Sequence, residues 1–236
     1  MFGGFQKSSL IEYPEKISAV VFTIGCNFRC PFCQNYRLVL PGMYSQNKYN
    51  EDEVLKYLKA KRNLLDAVSI TGGEPTLHGI KLIEFIRKVK ELGLLVQLET
   101  NGSNPSFVKK VIAEHLVDYI AMDIKGPLRK YPLLTGIENF NSEPIIESIK
   151  LITKSAPDYE FRTTYVPLLE IDDFHEIGSL IKGARHYIIQ KFEAHGVLNP
   201  EAFKNKQAPT EKAALRAAEI ARKYVEKVTI RGFNNL

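Results

Sequence analysis

Ile17-Ser18-Ala19-Val20-Val21-Phe22-Thr23 is a short β-branched apolar run, and it leads almost at once into Cys26-Asn27-Phe28-Arg29-Cys30-Pro31-Phe32-Cys33. An apolar run of this length between turn signals reads as a buried strand. Discharging straight into a loop of reactive side chains is what the strands of parallel α/β sheets do, because their working residues lie beyond the strand C-termini. The pattern recurs downstream. Ala67 to Thr71 ends at Gly72-Gly73-Glu74-Pro75, Leu94 to Glu99 leads to Thr100-Asn101-Gly102, and Val117 to Ile124 carries Asp123 with Lys125 just beyond. Tyr159 to Val166 and His186 to Phe192 complete a set of six.

Helical segments separate these strands. Asn50 with Glu51-Asp52-Glu53 reads as an N-cap and acidic first turn, opening a helix to about Asn63. A helix over about 80–92 stops at Gly93, and Asn104-Pro105 caps the next. Helices are also expected over 142–154, 173–182 and about 210–225, where Ala214, Ala217 and Ala221 share a face. Six β-α units predict an α/β fold with helices outside a parallel sheet, too few for a closed eight-fold barrel and consistent with an open partial (β/α)6 barrel. No repeat or linker marks a boundary, so residues 1–236 read as one domain.

The three cysteines are the chain's full complement and fall within eight residues, an odd number that argues against a disulfide framework. Three thiols on one loop point to metal. A cubane of four irons suits the count, with three cysteinates and one iron left open. Zinc would need a histidine as fourth ligand, and His78, His115, His175, His186 and His195 are scattered singly. Chance clustering is the third reading.

Composition narrows the class without naming it. Hydrophobic residues are 44% and charged residues 25%, ordinary for a globular protein and too apolar for disorder. No apolar run has a membrane helix's length, and the N-terminus lacks the order of a signal peptide, so a cytoplasmic protein is expected. The 32 Lys and Arg exceed the 27 Asp and Glu to give +5, much of it between Lys204 and Lys227. That run reads first as a solvated helix face and second as a surface for an acidic protein partner or, less readily, weakly bound nucleic acid. Motifs for phosphate loops, dinucleotide folds, metalloproteases and serine hydrolases are missing.

Cys26-x3-Cys30-x-Phe32-Cys33 resembles the C-x3-C-x2-C loop of the radical S-adenosylmethionine (radical SAM) superfamily, including the aromatic before the last cysteine. The resemblance implies that Cys26, Cys30 and Cys33 hold a [4Fe–4S] cluster, that SAM chelates its open iron, and that Phe32 lies near the adenine. Gly72-Gly73-Glu74 is similar to the segment that binds the SAM amino group. Glu99, Thr100 and Asn101 become candidates for the ribose hydroxyls, Asp123 and Lys125 for the SAM carboxylate end, and Arg162 for the same site. On their own, the Gly-Gly and Thr-Asn-Gly stretches would read as turns, and Asp123–Lys125 as a surface ion pair.

Within the superfamily the chain most resembles activating proteins of anaerobic ribonucleoside-triphosphate reductase, relatives of the pyruvate formate-lyase activase. The residues that carry this are Gly3-Gly4-Phe5-Gln6-Lys7-Ser8-Ser9-Leu10-Ile11-Glu12-Tyr13-Pro14, the loop over 24–36 with Gln34-Asn35, and Met122-Asp123-Ile124-Lys125. Beyond about Pro167 the match is vague. The resemblance implies an oxidoreductase to which flavodoxin or ferredoxin delivers an electron, SAM cleavage to a 5′-deoxyadenosyl radical, and hydrogen-atom removal from a glycine of the partner reductase. It assigns no protein acid or base. Three rivals stand beside it: a radical SAM enzyme with a small-molecule substrate, such as 7-carboxy-7-deazaguanine synthase, the activase of another glycyl-radical enzyme, and a zinc- or cluster-bearing binding module.

Overall fold

Eight strands line up in sequence order in one sheet: β1 (Phe2–Ser9), β2 (Ser18–Thr23), β3 (Ala67–Gly72), β4 (Leu95–Thr100), β5 (Tyr119–Asp123), β6 (Tyr159–Tyr165), β7 (His186–Lys191) and β8 (Lys227–Arg231). They belong to a computed structural model that describes residues 1–40, 42–43 and 49–233. From β2 to β8 every pairing is parallel, while β1 runs antiparallel against β2. β1 and β8 do not pair among the described residues, so the curled sheet stays open.

The six expected strands are β2 to β7, with ends within about two residues of the reading. Two strands are additional. β1 carries Gly3, Gly4, Gln6, Lys7 and two serines, a composition that suppresses any strand signal. β8 is five residues with a charge at each end, and the helix before it closes at Ala221 instead of reaching 225. Both are edge strands, where the polar residues of β1 and the terminal charges of β8 protect against pairing with another chain. The open barrel therefore has eight strands where six were expected.

Parallel neighbours require crossovers, and helices supply most of them, packed on the outer face of the sheet. Gly79–Glu91 buries Leu82, Phe85, Ile86 and Val89; Glu143–Ser155 buries Ile145, Ile149 and Ile152; Glu211–Ala221 presents its four buried alanines. No helix among the described residues is long and apolar enough to cross a membrane.

The inner face is different. Strand alternation points Ile120 and Met122 outward into the main apolar core, while Tyr119 and Ala121 join Tyr13, Ala67 and Leu95 in a separate inner cluster. Tyr13 reaches it from the turn between β1 and β2 and packs against Tyr119 with ring centroids 5.6 Å apart. Above this floor the interior is charged. Buried Arg162 on β6 donates from Nη1 to Glu99 Oε1 at 3.0 Å and from Nε to Asp123 Oδ1 at 3.2 Å, with Glu160 Oε1 3.9 Å away. Tyr119 donates to Glu160 at 2.9 Å. Such a network holds β4, β5 and β6 in register at the level where the site begins.

Candidate functional site

The loop after β2 is pinned before any ligand arrives. Gly25 turns the chain at φ +85°, a region open to glycine, and its N–H donates to Leu38 O at 2.7 Å. Arg29 Nη1 donates to the carbonyls of Cys26 at 2.7 Å and Phe28 at 2.8 Å, rigidifying the loop from within. From outside, Leu198 N–H donates to Cys33 O at 3.0 Å and Asn199 N–H to Pro31 O at 2.9 Å.

The Gly-Gly-Glu segment presses directly on this loop. A Cβ on Gly73 would lie 1.8 Å from Gly25 O, and one on Gly72 would meet the backbone of Thr23 at 2.3 Å. The close approach is held by Gly73 N–H to Thr23 O at 2.9 Å and Glu74 N–H to Gly25 O at 2.8 Å. The glycines are thus required by the contact between the two segments alone.

A pocket of about 300 Å³ opens at the C-terminal ends of β2 to β7. Cys26, Cys30, Phe32 and Cys33 line it from the β2 loop, with Gly72, Gly73 and Glu74 beside them. Glu99, Thr100, Asn101, Asp123 and Lys125 complete the expected set. Arg162 is not on the wall; it lies behind it, bridging Glu99 and Asp123. Residues the sequence did not single out also line the pocket, chiefly Thr164 on β6 and Gln190, Lys191, Phe192 and Glu193 at the end of β7. Thr164 and Gln190 are paired in register, and their side-chain polar atoms make no hydrogen bond among the described residues. Their only sequence signal was position, an inward residue at the C-terminal end of a strand.

The charged wall residues are bonded to one another. Glu74 is buried, and its Oε1 accepts from Thr76 Oγ1 at 2.6 Å, Thr100 Oγ1 at 2.8 Å and Thr76 N–H at 3.1 Å; Oε2 accepts from Asn101 N–H at 2.7 Å. Its carboxylate ties the β3 loop to the β4 loop, so an approaching ammonium would find it already well satisfied. Burial nonetheless raises its pKa, against the pull of those hydrogen bonds. Glu99 accepts from Arg162, from Gln97 Nε2 at 3.0 Å and, through Oε2, from Thr71 Oγ1 at 2.8 Å. Lys125 Nζ donates to Asp123 Oδ2 at 2.9 Å and stands 5.7 Å from the Phe32 ring centroid. Burial works against the charge on Asp123, but Lys125 and Arg162 outweigh it and hold that carboxyl below its ordinary value. The reciprocal effect keeps the Lys125 ammonium firmly protonated in spite of its burial.

The donor set distinguishes between metals. Among the described residues no three His, Cys, Asp or Glu side chains converge as ligands of a single ion would. Yet all three thiols face one pocket, which suits a polynuclear cluster whose cysteinates each take a different iron. Burial pushes the Cys26 thiol up to about 11 and Cys30 to about 12, and raises Cys33 as well. The thiols are therefore neutral until a metal displaces their protons.

Comparison with known proteins agrees with this geometry. A protein of Methanocaldococcus jannaschii provisionally named a glycyl-radical enzyme activating enzyme is 34% identical over 99% of this chain and 97% of its own. A second from the same organism, with the same provisional name, is 31% identical over 97% of this chain and 86% of its own. The solved structure of Streptococcus suis SuiB bound to S-adenosylmethionine shares the fold, with a TM-score of 0.68 at 17% identity over 90% of this chain; the chain spans about half of that structure's length (50%). The radical SAM superfamily model matches residues 20–181, from β2 with its cysteine loop to the helix before β7, and this chain belongs to that superfamily.

Proposed function

We propose that this radical SAM enzyme activates a glycyl-radical enzyme, and that its partner is an anaerobic ribonucleoside-triphosphate reductase. The observation that carries the activase reading is the end-to-end match to two relatives named for that activity, which takes in β1 and the β7–β8 region as well as the cysteine loop. The choice of reductase rests on the Gly3–Pro14 and Met122–Lys125 segments described above. An open sheet supports it, because a protein loop carrying the target glycine needs a way in that a closed barrel would deny.

In this reading Cys26, Cys30 and Cys33 hold a [4Fe–4S] cluster and SAM fills the adjoining pocket. When bound and reduced by flavodoxin or ferredoxin, the cluster supplies the electron that splits SAM into methionine and a 5′-deoxyadenosyl radical able to take a hydrogen atom from a glycine Cα. The chain's own residues orient and exclude. Gly72 and Gly73 bring backbone onto the pocket wall beside the cysteine loop, next to the place of the SAM ammonium, and Lys125, fixed by Asp123, offers a cation to its carboxylate. Phe32 supplies a flat apolar face for the adenine. No residue is required as acid or base. The enzyme is expected to work in the cytoplasm, where its thiols stay reduced.

The test is anaerobic. The reconstituted, reduced enzyme is mixed with SAM and the anaerobic reductase of the same organism, and a glycyl doublet is sought by EPR while 5′-deoxyadenosine is assayed. A doublet on the reductase is expected. 5′-Deoxyadenosine formed in proportion to a consumed small molecule, with no doublet, would overturn the reading in favour of a small-molecule enzyme.

A further inference from the structure

Asn101 was expected to meet a ribose, but its side chain is turned to the cysteine loop. Its Oδ1 accepts from Ser103 N–H at 2.9 Å, and since a backbone N–H can only donate, this fixes which way the amide faces. The two Nδ2 protons then point at two acceptors, Asn27 Oδ1 at 2.9 Å and Cys26 Sγ at 3.9 Å. Asn27 closes the ring by donating from Nδ2 to Ser103 Oγ at 2.9 Å. Cys26 Sγ also accepts from Phe28 N–H at 3.3 Å, and among the described residues it is the only cysteine sulfur that a side-chain amide reaches. Behind the clasp, Asn101 N–H is held by Glu74 and its neighbour Thr100 by the same carboxylate.

We infer that Asn101, clasped by Asn27 and Ser103, is a positioning residue that fixes Cys26 and sets the reduction potential of the cluster it ligates, and is not a ribose contact. A donor aimed at a ligating sulfur withdraws electron density from it and favours the reduced, more negative cluster, so each such bond raises the potential. The clasp also spans the β2 and β4 loops, so it couples the first cysteine to the loop that the Glu74 carboxylate anchors. The inference rests on the cluster assigned above and is independent of which partner receives the radical.

The experiment uses the full chain reconstituted with iron and sulfide, with iron content and circular dichroism measured first. Midpoint potential is read by EPR-monitored redox titration and SAM affinity by equilibrium dialysis. Asn101→Ala should move the potential to more negative values while SAM Kd stays within about twofold of the parent, well under the ~1.4 kcal/mol of a tenfold change. Asn27→Ala is the sharper probe because Asn27 is not on the pocket wall, and it should move the potential in the same direction. Ser103→Ala leaves both amides in place, keeps the test available if the larger truncations lose iron, and should give a smaller shift of the same sign. The inference is overturned if Asn101→Ala weakens SAM about tenfold or more at unchanged potential, as a ribose contact would. It is equally overturned if Asn27→Ala and Ser103→Ala both titrate at the parent potential.

Discussion

The two faces of the same strands do different work. Along β6, Tyr159 and Phe161 turn outward into the apolar core, while Glu160 and Arg162 turn inward into a web of ion pairs and Thr164, beyond them, reaches the pocket. Along β7, Tyr187 and Ile189 face out and His186 faces in, its Nε2 2.9 Å from Thr229 Oγ1. Outside, any well-fitting apolar side chain would serve, since burial there is non-directional. Inside, the charged groups Glu99, Asp123, Glu160 and Arg162 depend on particular partners. The outer face makes the fold, and the inner face makes the platform on which the rim loops stand.

If that division is right, removing the inner hub should cost more than trimming the outer face, and its cost should depend on pH. Arg162→Met leaves Glu99, Asp123 and Glu160 short of their shared cation. Breaking a buried pair from one side costs about 3–5 kcal/mol, and a loss in that range is expected in urea titrations at pH 7. Asp123 gives the sign. Burial raises its pKa, Lys125 and Arg162 lower it further, and the net shift is below the ordinary 3.8. Its folded-state stabilisation is therefore present above 3.8 and is lost as pH falls through the depressed folded value. The gap between parent and variant should be widest at neutral pH and narrow below pH 3.8. A gap of constant width from neutral pH into that range would show that the pairs only fill space.

Ile189→Val supplies the outer-face control. Ile189 is fully buried on β7, and loss of one methylene from such a site costs about 0.5–1.5 kcal/mol through transfer and cavity terms. No titratable group is involved, so the loss should be the same at both ends of the pH range. Pocket properties, read as SAM affinity, should be unchanged.

The same division explains what could be read from the sequence. Outward-facing apolar runs announced β2 to β7, and glycines, caps and acidic first turns placed the helices between them. The rim residues were legible where their types are unusual in combination, as in the cysteines and Gly-Gly-Glu. Partners on the inner face were not. Nothing in Glu74 shows that its carboxylate holds Thr76, Thr100 and Asn101, and nothing in Asn101 shows that its amide turns to Asn27, because these bonds join loops 26 to 75 residues apart or hinge on a local turn. Arg162 was visible as a charge on an apolar strand, and only the register of β4, β5 and β6 reveals it as a bridge behind the wall. β1 was hidden by the polar, glycine-rich composition that suits an edge, and β8 by its shortness, three β-branched residues between two charges.

Glu12 tests the inner face from below with the smallest expected effect and the opposite sign. It sits beside Tyr13 in the turn beneath the barrel. Burial and repulsion from Glu99 raise its pKa, and the attraction of Arg162 and Arg231 does not fully offset them. An acid whose folded pKa lies above its ordinary 4.5 is harder to ionise in the folded state than in the unfolded one, so its charge opposes folding at neutral pH. Glu12→Gln should then stabilise the protein at pH 7, by less than about 1 kcal/mol because the side chain is only partly buried. The gain should vanish below pH 4.5, where both states hold the proton. A neutral-pH loss would instead place Glu12 among the carboxylates that Arg162 and Arg231 hold in favourable pairs, and the charged interior would extend to the barrel floor.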